Sequence, residues 1–222
     1  MKKTALPKFF FGGILPIILV IGLGIAPDEA HSRKSNAIIK RVQEKYEELK
    51  TLSAHFEYRY QTGTGEVKSE AGLLFLAEGD KFKTETPSQI TICDGNTLWM
   101  YNSLEKQVII KNTEDSEDGL ITPEKLLYEF PARYEVKEVN KVIYAGLVCD
   151  KLVMVPKDPT DPARQLQVWI DRDESLTRKF YLEDLADNVT VFEFEDYKYN
   201  EKLPEDTFQF VPPQGVEVID MR

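Results

Sequence analysis

The stretch from Ile90 to Lys111, ITICDGNTLWMYNSLEKQVIIK, constrains the fold more than any other in the chain. Two short apolar runs rich in β-branched and aromatic residues flank Asp94-Gly95-Asn96, and a third follows the polar break Asn102 to Lys106. Asp and Gly tolerate the positive φ angles of tight hairpin connections, so the spacing predicts two consecutive hairpins. The central strand is apolar on both faces. Side chains alternate along a strand, so Leu98 and Met100 point one way while Trp99 and Tyr101 point the other. A sheet with one face in water alternates apolar with polar. This strand must be covered on both faces, or covered on one while holding something on the other.

The rest of the chain supplies both kinds of cover. From Ser35 to about Lys50, Ile38, Val42, Tyr46 and Leu49 recur on one helical face. Ser35 is placed to act as N-cap. From Ser53 the period changes to two: Phe56, Tyr58 and Tyr60 alternate with His55, Glu57 and Arg59. Turns at Thr62–Gly65 and Glu78-Gly79-Asp80 separate the next strands, and the second of these carries Phe82 and Thr84 on one side. The acidic run after Lys111 has no apolar period and reads as a loop. Thr122-Pro123 starts a short helix, with Leu126, Leu127 and Phe130 as its apolar residues. So short a helix has to rest on another surface. Strands resume at Tyr134, with Tyr144 to Val155 expected as one of them, and run to the C-terminus; Phe192 and Phe194 alternate there with Glu193 and Glu195. About ten strands and two helices, joined mostly by short turns, make a mainly β, antiparallel meander. One this long has to curl or close.

The first thirty residues stand apart. Lys2, Lys3 and Lys8 precede a largely apolar run from Phe9 to Ala26. That is an export signal, expected to be cleaved near Ala26 or Ala30, with a retained membrane anchor as the alternative. Residues 31–222 then form one domain. The chain carries a net charge of −10, which rises to about −11 without that segment. No basic stripe exists to neutralise phosphates, which excludes nucleic acid as a partner. Cys93 and Cys149, the two cysteines, sit in strand-like runs and are open to either a disulfide or two buried thiols.

A search for catalytic chemistry yields little. Of the two histidines, His31 lies beside the signal and His55 falls on the polar side of a strand. No nucleophile elbow, phosphate loop, metal-spaced set or dinucleotide fingerprint occurs, and no cofactor is implied. Glu193/Glu195 read as the solvated face of a strand, and Asp171/Asp173 as hairpin turn chemistry. What remains is more apolar and aromatic surface than one sheet face needs, enough to enclose a ligand.

At DGNTLWMYN (Asp94–Asn102) and FQFVPPQGVEVID (Phe208–Asp220) the chain resembles the periplasmic outer-membrane lipoprotein carriers, the LolA family. The order of elements over residues 35 to 220 is similar as well. The resemblance implies an unclosed β-barrel with an apolar concave face and helices across its mouth. It further implies a monomeric, non-enzymatic periplasmic carrier. Such a carrier takes acylated lipoproteins from an inner-membrane ABC-type transporter and passes them to an outer-membrane acceptor. By position it implies an acyl-chain cavity and lid that include Tyr46, Phe82, Thr84, Leu126 and Leu127, to which the apolar stripes already read add Val42, Leu49 and Phe130. The family's Arg-Pro pair, whose arginine helps hold the lid closed, is here Glu78-Gly79. A lid held mainly by apolar contacts is therefore expected. The competing reading is a periplasmic binding or sensor protein for another lipid on the same open barrel.

Overall fold

The computed structural model describes residues 27–113, 123 and 127–222. Helix α1 spans Pro27–Glu47, starting eight residues before the expected cap. Ser35 is not that cap: its hydroxyl donates back to the Ser32 carbonyl at 3.0 Å, as a serine inside a helix does. The apolar stripe marks where the helix meets the sheet, and the polar turns before it carry no such mark. The helix start thus falls within the segment read as an export signal. Residues 1–26 lie outside the described residues.

The alternating runs form twelve strands of one sheet. β1 (Thr51–Gln61), β2 (Val67–Ala77), β3 (Lys81–Glu85), β4 (Gln89–Asp94), β5 (Thr97–Asn102) and β6 (Gln107–Asn112) meander outwards from the centre. The chain re-enters at the opposite edge with β7 (Tyr134–Tyr144). It returns through β8 (Leu147–Pro156), β9 (Ala163–Asp171), β10 (Thr177–Asp184) and β11 (Val189–Tyr199), until β11 pairs with β1. β12 (Glu217–Asp220) then runs parallel to β6, the one parallel pair of an otherwise antiparallel sheet. β12 and β7 are the two free edges, so the curved sheet is an unclosed barrel.

Two differences from the expected pattern have local causes. The run Tyr144–Val155 is not one strand: Ala145 and Gly146 take φ of 48° and 80°, the paired positive values of a type I′ hairpin turn, and split it into β7 and β8. The two helices reduce to α1 plus a partly described second segment. There Pro123 and Leu127 are helical, and a 3₁₀ turn follows at Phe130–Ala132.

The two-sided strand is covered on both faces. On the concave side Leu98 is buried with Phe82 and Cys93, and Met100 packs against them. On the convex side the C-terminal segment lies back over the sheet. Phe210 approaches Tyr101 at 5.9 Å between ring centroids, and Phe208 and Phe210 wall a hollow with Trp99. The expected turn between β4 and β5 closes through Asp94 Oδ1, which accepts the N–H groups of Asn96 at 2.9 Å and Thr97 at 2.8 Å.

The main core lies between α1 and the concave face of the sheet. Ile38, Val42 and Tyr46 pack with Leu152 and Met154 of β8, Leu166, Val168 and Ile170 of β9, and Phe180 of β10. Leu127 and Phe130 enter the same cluster. Cys93 and Cys149 are both buried and are not joined in a disulfide. Burial, followed by the nearby Asp171 carboxylate, pushes the Cys149 thiol up to about 11, which leaves it inert.

Candidate functional site

Away from α1 the same cluster continues along the concave face as aromatic residues from alternate positions of two paired strands, with Phe56 and Phe194 inside it and Tyr58 and Phe192 packed against it. Register sets Phe56 opposite Phe194, Tyr58 opposite Phe192 and Tyr60 opposite Thr190. The rings of Tyr58 and Phe192 lie 5.0 Å apart, and those of Phe192 and Phe194 are stacked at 6.2 Å. Contacts of this kind add to the apolar burial of each ring. Opposite Phe56 on β2 stands Gly72. A Cβ there would lie 2.5 Å from the Glu85 carbonyl oxygen and 2.6 Å from the Phe56 ring, so only glycine lets that ring lie flat on the strand.

These residues bound a cavity of about 380 Å³. One wall is apolar: Phe56, Tyr58, Leu74, Phe82, Phe192 and Phe194. The other is polar: Thr84, Thr86, Ser88, Gln89 and Thr91 of β3, β4 and their turn, with Glu70 beside them. Pro123 also lines the space. The volume falls at the low end of the roughly 300–1,000 Å³ usual for small-molecule sites.

Seven of the eight residues expected at an acyl-chain site are described, and they fall in three places. Phe82 and Thr84 line the main cavity. Val42, Leu127 and Phe130 are buried in the core under α1. Tyr46 and Leu49 border a second cavity of about 210 Å³, beside Glu78, Gly79 and Tyr128. Leu126 lies outside the described residues. Phe56, Tyr58, Leu74, Phe192 and Phe194 line the main cavity without having been singled out. Their alternation was visible, but alternation alone does not tell the concave face from the convex one.

The cover is held by polar contacts as well as by the apolar ones of the core cluster. Thr177 Oγ1 donates to the Leu127 carbonyl at 2.8 Å, and the Thr177 N–H donates to the Tyr46 hydroxyl at 3.3 Å. The Tyr197 hydroxyl donates to the Thr177 carbonyl. Burial pushes the Tyr46 phenol up to about 12, partly offset by the Thr177 N–H, and burial raises Tyr197 well above the ordinary value too. Both phenols are therefore neutral donors and acceptors at physiological pH. A second tether joins α1 to the sheet: Arg41 reaches the buried Asp150 carboxylate at 3.3 Å, which Arg172 approaches at 3.4 Å. Where the family's Arg-Pro pair is absent, the Glu78 N–H donates to the Lys50 carbonyl just after α1.

Asp171 accepts the N–H groups of Asp173 and Glu174 and pairs with Arg178 at 2.8 Å, which is turn chemistry as expected. Among the described residues one group, His55, Glu195 and Asp196, brings three metal-ligating atoms within 4.8 Å, and all three are exposed. No helix among the described residues is long and apolar enough to cross a membrane.

Residues 47–211 match the family model for the outer membrane lipoprotein carrier protein LolA. The chain belongs to that family. An outer-membrane lipoprotein carrier protein of Legionella pneumophila is 24% identical over 91% of this chain and 98% of its own length. An uncharacterized protein of Methanocaldococcus jannaschii is also 24% identical, over 93% of this chain, and the match spans 59% of that longer protein. The crystal structure of an uncharacterized conserved protein from Thermus thermophilus superposes with a TM-score of 0.58. It covers 84% of this chain and 99% of its own at 14% identity, so the two share a fold. The match to the LolA model begins at the last residue of α1, so the aromatic cavity lies inside it, as do Leu127, Thr177 and Tyr197, while Tyr46 stands one residue before it.

Proposed function

We propose that this LolA-family protein is a periplasmic carrier that shelters the acyl chains of lipoproteins on their way from the inner to the outer membrane. The observation that carries the reading is the cavity itself. Six apolar side chains converge on the concave face of an open sheet, beside a helical cover pinned by a few hydrogen bonds. Burying one methylene is worth about 0.8 kcal/mol, so an acyl chain of about fifteen methylenes represents about 12 kcal/mol against water. A carrier has to recover much of that energy yet give the chain up again. An open-sided site does this without any bond-making chemistry. In this reading the donor is an ABC-type transporter of the inner membrane, the receiver an outer-membrane acceptor, and the exported domain comprises residues 31–222 as a monomer. Purification of the protein from the periplasm of its own cell, followed by mass spectrometry of what is bound, tests the proposal. Acylated N-terminal peptides are the expected cargo. Recovery of other lipids alone would instead favour the sensor or lipid-binding alternative.

A further inference from the structure

The polar wall of the cavity carries one charge. Glu70 is the only charged side chain among the described residues that line it. Alternation along β2 sets Glu70 on the side of Gly72 and the buried Leu74, so a carboxylate stands on the ligand face of the sheet. Ser88 fixes it there. The Ser88 hydroxyl donates to one carboxylate oxygen at 2.6 Å, and the Ser88 N–H donates to the other at 3.3 Å. Hydrogen bonds from Ser88 and then Thr86 hold the carboxyl below its usual range, so it is ionised at neutral pH. An ionised carboxylate offers about four acceptor positions, of which Ser88 uses two and Thr86 a further one. Thr86, Gln89, Tyr60 and Thr190 supply hydroxyl and amide groups around the same mouth. A site for hydrocarbon alone gains nothing from an anion held in this way.

We propose that the Glu70–Ser88 corner selects the head of the ligand and receives a primary ammonium group borne next to the acyl chains. The chains lie against Phe56, Phe82, Phe192 and Phe194. The inference rests on the carrier reading, within which that head is the free α-amino group of an S-diacylglyceryl cysteine at a lipoprotein N-terminus. Phosphatidylethanolamine offers the same ammonium but sets a phosphate beside it, which Glu70 repels. Charge complementarity therefore favours the lipopeptide over the phospholipid.

Three probes separate the outcomes: a soluble short-chain S-diacylglyceryl-cysteinyl dipeptide with a free α-amine, the same dipeptide N-acetylated, and a short-chain phosphatidylethanolamine. Each is titrated by fluorescence displacement against the full chain and against Glu70→Gln, which keeps an acceptor for Ser88. The free amine is expected to bind about five- to tenfold more tightly than the acetylated form, the gain of one partly solvated ion pair. Glu70→Gln is expected to bring the two dipeptides within about twofold of each other. Equal binding of the two dipeptides by the unaltered chain overturns the head-group proposal and leaves the carrier reading standing. Preference that persists in Glu70→Gln removes Glu70 from the role. Tightest binding by phosphatidylethanolamine would assign the corner to a phospholipid head instead. Failure of both dipeptides to bind overturns the carrier reading and the head-group proposal together.

Discussion

Thr177 donates a 2.8 Å hydrogen bond from Oγ1 to the main-chain carbonyl of Leu127, and both residues are fully buried. The bond ties the segment ahead of β7 to the start of β10, across fifty residues of sequence. Leu127 has no other role visible from sequence than an apolar one, yet its carbonyl is where the cover is latched. A buried carbonyl left without a donor costs about 1–3 kcal/mol. Thr177→Val keeps the shape and removes the donor. It is expected to lower stability by about that amount. Amide hydrogen exchange of Leu127 to Arg133 should also become faster, while the β4–β6 amides stay protected. Unchanged exchange in that segment would show that the bond does not hold the cover.

The Tyr46 and Tyr197 hydroxyls make the same cluster sensitive to alkali. In the unfolded chain a tyrosine loses its proton near pH 10, whereas buried Tyr46 keeps it to about 12. Between those values the unfolded state releases a proton that the folded state retains, so stability falls as pH rises through the window. Below about pH 10 the contribution is complete. A denaturant midpoint followed from about pH 9 to about pH 12 should fall, and fall less in Tyr46→Phe. Parallel profiles for the two proteins would place the alkaline loss elsewhere.

Gly72 is a test of the cavity floor. An added Cβ would collide with the Glu85 carbonyl, which is fixed in the sheet, and with the Phe56 ring. Gly72→Ala is expected to cost about 1–3 kcal/mol by overpacking and to weaken acyl-peptide binding, because Phe56 is displaced into the cavity. Wild-type stability together with wild-type binding would mean that the ring does not lie where it is described.

Much of this architecture was legible from periodicity. The stripe Ile38, Val42, Tyr46 announced a helix packed on a sheet, although Leu49 falls just past its end at Glu47, and β1 followed the period-two run from Ser53. The start of α1 was hidden because its first turns have no apolar residues to set a phase. The break at Ala145-Gly146 left a signal, a Gly in a run too long for one strand, that length alone outweighed. β12 is four residues long and pairs with a strand about 110 positions earlier, so no local pattern marks it. The candidate site was only half visible. Phe82 and Thr84 line the cavity, but its larger wall comes from β1 and β11, whose pairing is non-local. The Thr177 latch gave no sequence signal at all, since its acceptor is a backbone carbonyl that any residue would supply.

The account stands or falls on whether the aromatic cavity binds acyl chains. Phe192 is half-buried, lines that cavity and contacts Tyr58, Phe56 and Phe194, so it is central to the site without being central to the core. Burial of a ring of this size against a ligand is worth about 1.5–3 kcal/mol, or about one to two powers of ten in affinity. The decisive measurement is a titration of a diacylated lipopeptide against the purified protein and its Phe192→Glu variant, with thermal unfolding recorded for both. The account predicts saturable binding by the native chain, and at least about a tenfold loss in a variant that still unfolds cooperatively. Equal affinity in two folded proteins, or no binding by the native chain, would contradict it.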